Sequence, residues 1–260
     1  MRIIVFIKQV PDSAHVRFDK ETHSIIREGL PSIINPFDEN AIEAGLQLRE
    51  EHGGEVIVLC MGAPHAQEQL RQAIAMGVDQ AILISDRRFA VADTLATAYS
   101  LSTAAKKIGD YDLLLFGKQA IDGDTAQVGP GVAEFLGLPQ ITYVRKIQVA
   151  DGKVTAERVL EDSYEIVQTN LPAVLTVVKE INEPRHASLR GVLKAKKAEI
   201  PMWTPEDIDA DLAKIGKIGS PTDVIKTFTP EPRGDSEKLS GTPEEIAEAL
   251  FDRLRHQNII

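Results

Sequence analysis

Four short, almost wholly apolar runs punctuate the first half of the chain: Ile3–Ile7, Val56–Met61, Ala81–Ile84 and Leu113–Phe116. Runs of this kind, without polar alternation, are strands buried on both faces. Segments of helical period lie between them. Asn35-Pro36-Phe37-Asp38 opens one helix, with Asn35 as cap, Pro36 in the first turn and Asp38 at the positive end. Gly53-Gly54 closes it. Further helices are expected from about His65 to Met76, from Asp93 to Ile108 and from Thr125 to Gly137. This alternation predicts an α/β fold, a doubly wound, mainly parallel sheet with helices on both faces. Ligands of such sheets sit beyond the carboxyl ends of the strands.

Two stretches break the pattern. Pro11–Ile34 is polar, and its weak alternation suggests a small hairpin. After Pro139, the segments Ile141–Val149, Lys153–Val159, Tyr164–Gln168 and Ala173–Val178 read as strands joined by tight turns such as Asp151-Gly152, an antiparallel layer added to the same core. The last 60 residues hold six of the 14 prolines (Pro201, Pro205, Pro221, Pro230, Pro232 and Pro243). An α/β domain over residues 1–200 and an extended Pro-rich arm over 201–260 are therefore expected. The arm should end in a short helix that starts at Thr242-Pro243-Glu244-Glu245.

Composition narrows the function. The 29 Lys and Arg stand against 39 Asp and Glu, a net charge of −10, which disfavours nucleic acid and anionic membranes as partners. The single cysteine, Cys60, and six scattered histidines offer no disulfide and no metal-ligand spacing. No apolar run approaches the ~20 residues of a membrane span. A cytoplasmic chain is expected. No Ser nucleophile elbow or Cys–His pairing appears, so hydrolytic catalysis has little support.

The densest segment runs from Gly117 to Pro130 and links a buried strand to a helix. Gly123 permits a tight loop, Thr125 and Gln127 can donate to oxygens, and the helix start offers free N–H groups. The combination suits a phosphate; the plainer reading is a Gly/Asp turn with a cap. Asp122 and Asp124 read as acceptors of ribose hydroxyls or as loop braces. Neither Gly-x-Gly-x-x-Gly after the first strand nor a Walker lysine loop is present. The loops at Lys8–Asp12, Met61–Pro64 and Asp86–Thr94 should converge on the same rim. Separately, Arg185, Arg190, Lys194, Lys196 and Lys197 form a basic run free of acids, with Leu189 inside it. It is either a solvated surface or a docking patch for an acidic partner.

The chain resembles, over essentially its whole length, the beta subunit of electron-transferring flavoproteins. Lys8-Gln9-Val10-Pro11-Asp12, Asn35-Pro36-Phe37-Asp38 and Gly117-Lys118-Gln119-Ala120-Ile121-Asp122 match three loops of that family, and residues 182–197 match its recognition loop. Arg158, Glu161, Asp162, Glu165, Val167 and Pro172 fit its signature, whereas Ser163 departs from it. The resemblance implies an adenine-nucleotide-hydrolase-like fold with an arm that clasps an alpha subunit carrying FAD.

In ordinary members the beta subunit holds AMP; in another group it holds a second FAD. There it oxidises NADH and splits the electron pair between ferredoxin or flavodoxin and an acyl-CoA dehydrogenase-type partner, as in caffeyl-CoA reductase–Etf complexes. Gly123-Asp124-Thr125-Ala126-Gln127-Val128-Gly129 is similar to that second group, and its small side chains leave room for the flavin. FAD is the expected cofactor and AMP the alternative. Asp122 and Gly123 to Gly129 are then expected to cradle diphosphate and ribose, and Phe6, Asn35, Asp38, Met61 and Thr94 to line the adenine side. Leu189 would anchor the dehydrogenase, flanked by Arg185, Arg190 and Lys194. No side chain is expected to act as acid or base, since the flavin carries the chemistry. The chain would be one subunit of an oxidoreductase complex and not an enzyme alone.

Overall fold

The computed structural model describes residues 1–12, 17–18, 25–26, 31–225 and 238–260. The apolar runs become parallel strands: β1 (Arg2–Ile7), β6 (Glu55–Met61), β7 (Gln80–Ile84) and β8 (Leu113–Gly117). Between them lie α1 (Pro36–His52), α2 (Gln67–Met76) and α3 (Thr94–Ile108), and α4 (Val128–Leu136) follows β8. The polar excursion contains β2 (Gln9–Pro11) paired with β5 (Ser32–Ile34), and β3 (Arg17–Phe18) paired with β4 (Ile25–Ile26). The rest of that expected hairpin lies outside the described residues.

The later strands are β9 (Gln140–Ala150), β10 (Lys153–Val159), β11 (Tyr164–Asn170) and β12 (Ala173–Val177). They do not form a wholly antiparallel layer. β9, β10 and β11 are antiparallel, but β12 lies parallel between β8 and β9. Its five residues are all buried, so it belongs with the inner strands. With β13 (Met202–Trp203) the sheet order is β11-β10-β9-β12-β8-β1-β6-β7-β13.

Successive residues of β1 enter opposite faces, as the strand period requires. Ile3, Val5 and Ile7 join Leu46 of α1 and Leu70 of α2; Ile4 and Phe6 join Leu101 of α3 and Val132 of α4. α5 (Leu189–Lys197) turns most of the stretch expected as a loop into a helix. Ser188 caps it by accepting the Gly191 N–H at 3.0 Å, and Gly191 lets it lie directly on the Ala75 backbone.

The chain divides after Asp223, not after residue 200. Residues 201–223 stay with the first unit because β13 pairs with β7 and because Ile208 and Ile215 are buried in the core. The second unit, from Val224, contains α6 (Pro243–His256), which starts where expected, with Thr242 and Glu245 forming a capping box. No helix among the described residues is long and apolar enough to cross a membrane.

Candidate nucleotide site

The chain leaves β1 to build the sheet through β6 and β7, then returns to place β8 on the other side of β1. The strand ends diverge there, where an open α/β sheet binds its ligands. Asp38, in the first turn of α1, closes the gap. Its Oδ2 accepts the Lys8 N–H at 2.8 Å and its Oδ1 accepts the Gly117 N–H at 3.2 Å. Burial pushes the carboxyl up to about 7, against the pull of Asn35, the two backbone N–H groups and the Lys8 charge. A Cβ on Gly117 would strike Asp38 and Phe37, so only glycine lets β8 and α1 meet here.

Above this bridge opens a cavity of about 1090 Å³. Phe6 and Phe116, at the ends of β1 and β8, stack beneath it with centroids 4.2 Å apart. Its far wall is the loop before α4. Asp124 and Ala126 both adopt φ +53°, a left-handed conformation that non-glycine residues rarely take. The Asp124 N–H donates back to the Ala120 carbonyl at 2.9 Å and closes the turn. The α4 amino end adds first-turn N–H groups that lack intrahelical acceptors. Gly129 allows the close approach, since its Cβ would fall 2.6 Å from Thr176 Cγ2. Asp86 and Arg87 line the cavity beyond β7. Arg88 holds the Asp86 carboxyl down at about 2, so it stays charged.

The sequence-derived residues divide sharply. Phe6, Asp38, Met61, Thr94 and Gly123 to Gly129 all line the cavity. Asn35 and Asp122 are not among its lining residues. Asn35 is fully buried, and its side chain makes no cap to α1. Instead its Nδ2 donates to the Gln119 carbonyl at 2.8 Å, and its Oδ1 accepts the Ile121 N–H at 3.1 Å. It fixes the loop from behind rather than facing a ligand. Asp122 is held by Lys8, whose Nζ lies 2.7 and 2.8 Å from its two oxygens. Within the loop, Gln119 donates to Asp124, and Thr94 Oγ1 lies 3.2 Å from Gln127 Oε1.

Phe116 and Thr222 also line the cavity and were not foreseen as site residues. Phe116 was detectable from its position at the end of a buried run; nothing in the sequence marked Thr222. Among the described residues, no cluster of three metal-ligating side chains occurs.

The basic run lies elsewhere, on and before α5. Leu189 is 80% exposed, and Arg190 is exposed. Arg185 is not free: it grips Glu43 at 2.7 and 2.9 Å and Glu50 at 2.5 Å. Lys194 Nζ donates to the Val78 carbonyl at 3.0 Å.

Comparison with known proteins agrees with this architecture. Residues 22–208 match the family described as Electron transfer flavoprotein domain. The chain is 48% identical over 261 residues to the electron transfer flavoprotein subunit beta of Thermoanaerobacterium thermosaccharolyticum, covering all of both chains. It is 47% identical over 262 residues to the caffeyl-CoA reductase-Etf complex subunit CarD of Acetobacterium woodii, again over all of both. It is 48% identical over 263 residues to Protein FixA of Azorhizobium caulinodans, covering 98% of this chain and 94% of that one. With the family model matching most of the chain and these relatives spanning nearly all of it, the chain belongs to the electron transfer flavoprotein beta-subunit family.

Proposed function

We propose that this chain is the beta subunit of an electron-bifurcating flavoprotein, that its cavity holds FAD, and that it accepts electrons from NADH there. One electron passes to ferredoxin or flavodoxin, the other through the FAD of the alpha subunit to an acyl-CoA dehydrogenase-type oxidoreductase. The observation that carries the reading is the size of the cavity. At about 1090 Å³ it exceeds the ~300–1,000 Å³ that buries drug-sized ligands. A mononucleotide would leave much of it unfilled. The small side chains of Gly123 and Ala126 help to keep it open.

In this reading the N–H groups of Thr125 to Gly129 bind the diphosphate, and Gly123 and Asp124 form the turn before them, with the Asp124 N–H held by the Ala120 carbonyl. Phe6, Asp38, Met61 and Thr94 line the adenine side. Asn35 and the Lys8–Asp122 pair hold the loop in place. FAD supplies the two-electron oxidation of NADH and the one-electron transfers that follow. The protein positions it and keeps water from its buried parts. The exposed Leu189 is the anchor for the dehydrogenase, with Arg190 beside it, and the segment after Asp223 holds the alpha subunit.

The test is the cofactor content of the chain co-expressed with its alpha subunit, after acid extraction. Two FAD and no AMP per heterodimer support the proposal. One FAD and one AMP overturn it and leave a non-bifurcating carrier with a structural nucleotide. With one FAD and no AMP, exogenous FAD is titrated back to find whether a second site fills.

A further inference from the structure

Residues 204–223 have little regular structure, yet they are tied to the cavity rim at every few positions. Arg88, in the turn after β7, pairs with Asp86 and Glu206. The Asp211 N–H donates to the Tyr99 hydroxyl of α3 at 2.9 Å. Ile208 and Ile215 are buried. Gly216, at φ +54°, lies against the Arg88 carbonyl so closely that no Cβ could fit.

The last ties converge on Asp93. One oxygen of its carboxylate caps α3, accepting the Leu95 and Ala96 N–H groups at 3.0 Å each. The other accepts the Thr222 N–H at 3.1 Å. Its own N–H donates to Ser220 Oγ at 2.8 Å, and that hydroxyl donates to the Gly216 carbonyl at 2.7 Å. Lys217 pairs with Asp223 and closes the loop where the first unit ends. Asp93, Thr94 and Thr222 line the cavity; Ser220 is not among the lining residues.

We propose that Ile215–Asp223 presents Thr222 to the nucleotide site, and that Ser220 and Asp93 are positioning residues coupling occupancy of the cavity to the seating of this segment. The proposal rests on the reading of the cavity as a nucleotide site. A nucleotide that touches both Thr94 and Thr222 binds best when α3 and the segment are in register. It therefore favours the seated arrangement. By reciprocity, whatever displaces the segment weakens nucleotide binding by the same factor. The segment ends where the first unit ends, at Asp223.

The experiment uses the full chain with its alpha subunit, stripped of nucleotide from the beta site. FAD and, in parallel, AMP are titrated into wild type, Ser220→Ala and Ser220→Thr. Hydrogen–deuterium exchange of residues 216–223 in wild type is followed with and without the nucleotide that binds. The proposal expects Ser220→Ala to bind roughly 5- to 20-fold more weakly. Ser220→Thr, which keeps the hydroxyl, should bind close to wild type, and bound nucleotide should slow exchange across 216–223. A nucleotide that binds wild type and Ser220→Ala equally, or leaves exchange in 216–223 unchanged, overturns the coupling and leaves the site intact. Failure of both FAD and AMP to bind wild type overturns the nucleotide reading itself, and the coupling with it.

Discussion

Asp38 accepts the backbone N–H of Lys8 at 2.8 Å, so a buried carboxyl joins the end of the first strand to the first turn of α1. Burial raises its folded pKa to about 7 from an ordinary 3.8. Between those values the folded state holds a proton that the unfolded state has lost. That contribution is fully present below the ordinary value and fades as pH rises through about 7. Asp38→Asn has no such proton. Its melting temperature relative to wild type should therefore climb as pH is raised from about 5 to about 8. Thermal unfolding across that range checks this, and a constant difference would contradict it.

Gly129 and Thr176 are a second close relationship, with 2.6 Å between the glycine's ideal Cβ and Thr176 Cγ2. Gly129→Ala should destabilise by about 1–3 kcal/mol through overpacking. It should also weaken nucleotide binding by moving the start of α4. Thr176→Ser removes the obstructing methyl and keeps the oxygen that accepts the Tyr143 N–H at 3.2 Å. In the double variant part of the loss should return. A double-mutant cycle by denaturant unfolding reads the coupling, expected at about 0.5 kcal/mol or more; simple additivity would refute it.

Asn35 holds the loop before α4 from behind through the Gln119 carbonyl and the Ile121 N–H. Asn35→Ala leaves both backbone groups without their partner and should cost about 1–3 kcal/mol of stability. Nucleotide affinity should fall with it, although the residue does not line the cavity. Titration of FAD and AMP, alongside unfolding, measures both. Wild-type affinity in the variant would mean that the loop holds its shape without this clamp.

The parallel half of the fold was legible because each strand is buried on both faces and so has a nearly pure apolar sequence. The α4 loop was legible because its chemistry is local, with glycines and donors packed between a strand and a helix. β12 was misplaced because an apolar run does not name its neighbours. Its composition, Ala-Val-Leu-Thr-Val, nonetheless differs from the alternating Tyr-Glu-Ile-Val-Gln-Thr-Asn of the edge strand β11. Asn35 has a residue type and position that fit a cap, and only the tertiary placement of residues 119–121 turned its side chain away. Thr222 and Ser220 are tied to Asp93, more than a hundred residues away in sequence, which no local pattern encodes.

Arg185 and Leu189 lie four positions apart and should fail in different ways. Arg185 neutralises Glu43, whose side chain is only 4% exposed. Arg185→Ala removes the opposite charge from that α1 carboxylate and leaves it the Gln47 amide, which donates to it at 3.0 Å. The Arg185 side chain is itself 32% exposed, so the loss should be about 1–3 kcal/mol, short of the ~3–5 kcal/mol of a fully buried pair. Leu189, at 80% exposed, buries little of its side chain against the described residues. Leu189→Ala should shift stability by less than about 0.5 kcal/mol. If Leu189 anchors the dehydrogenase, that same change should slow electron transfer to it roughly tenfold or more, as loss of an interface hot spot does. Thermal unfolding and partner reduction, measured on both variants, separate the two roles. Equal stability losses would make Leu189 part of the fold, and unimpaired transfer in Leu189→Ala would move the docking surface away from α5.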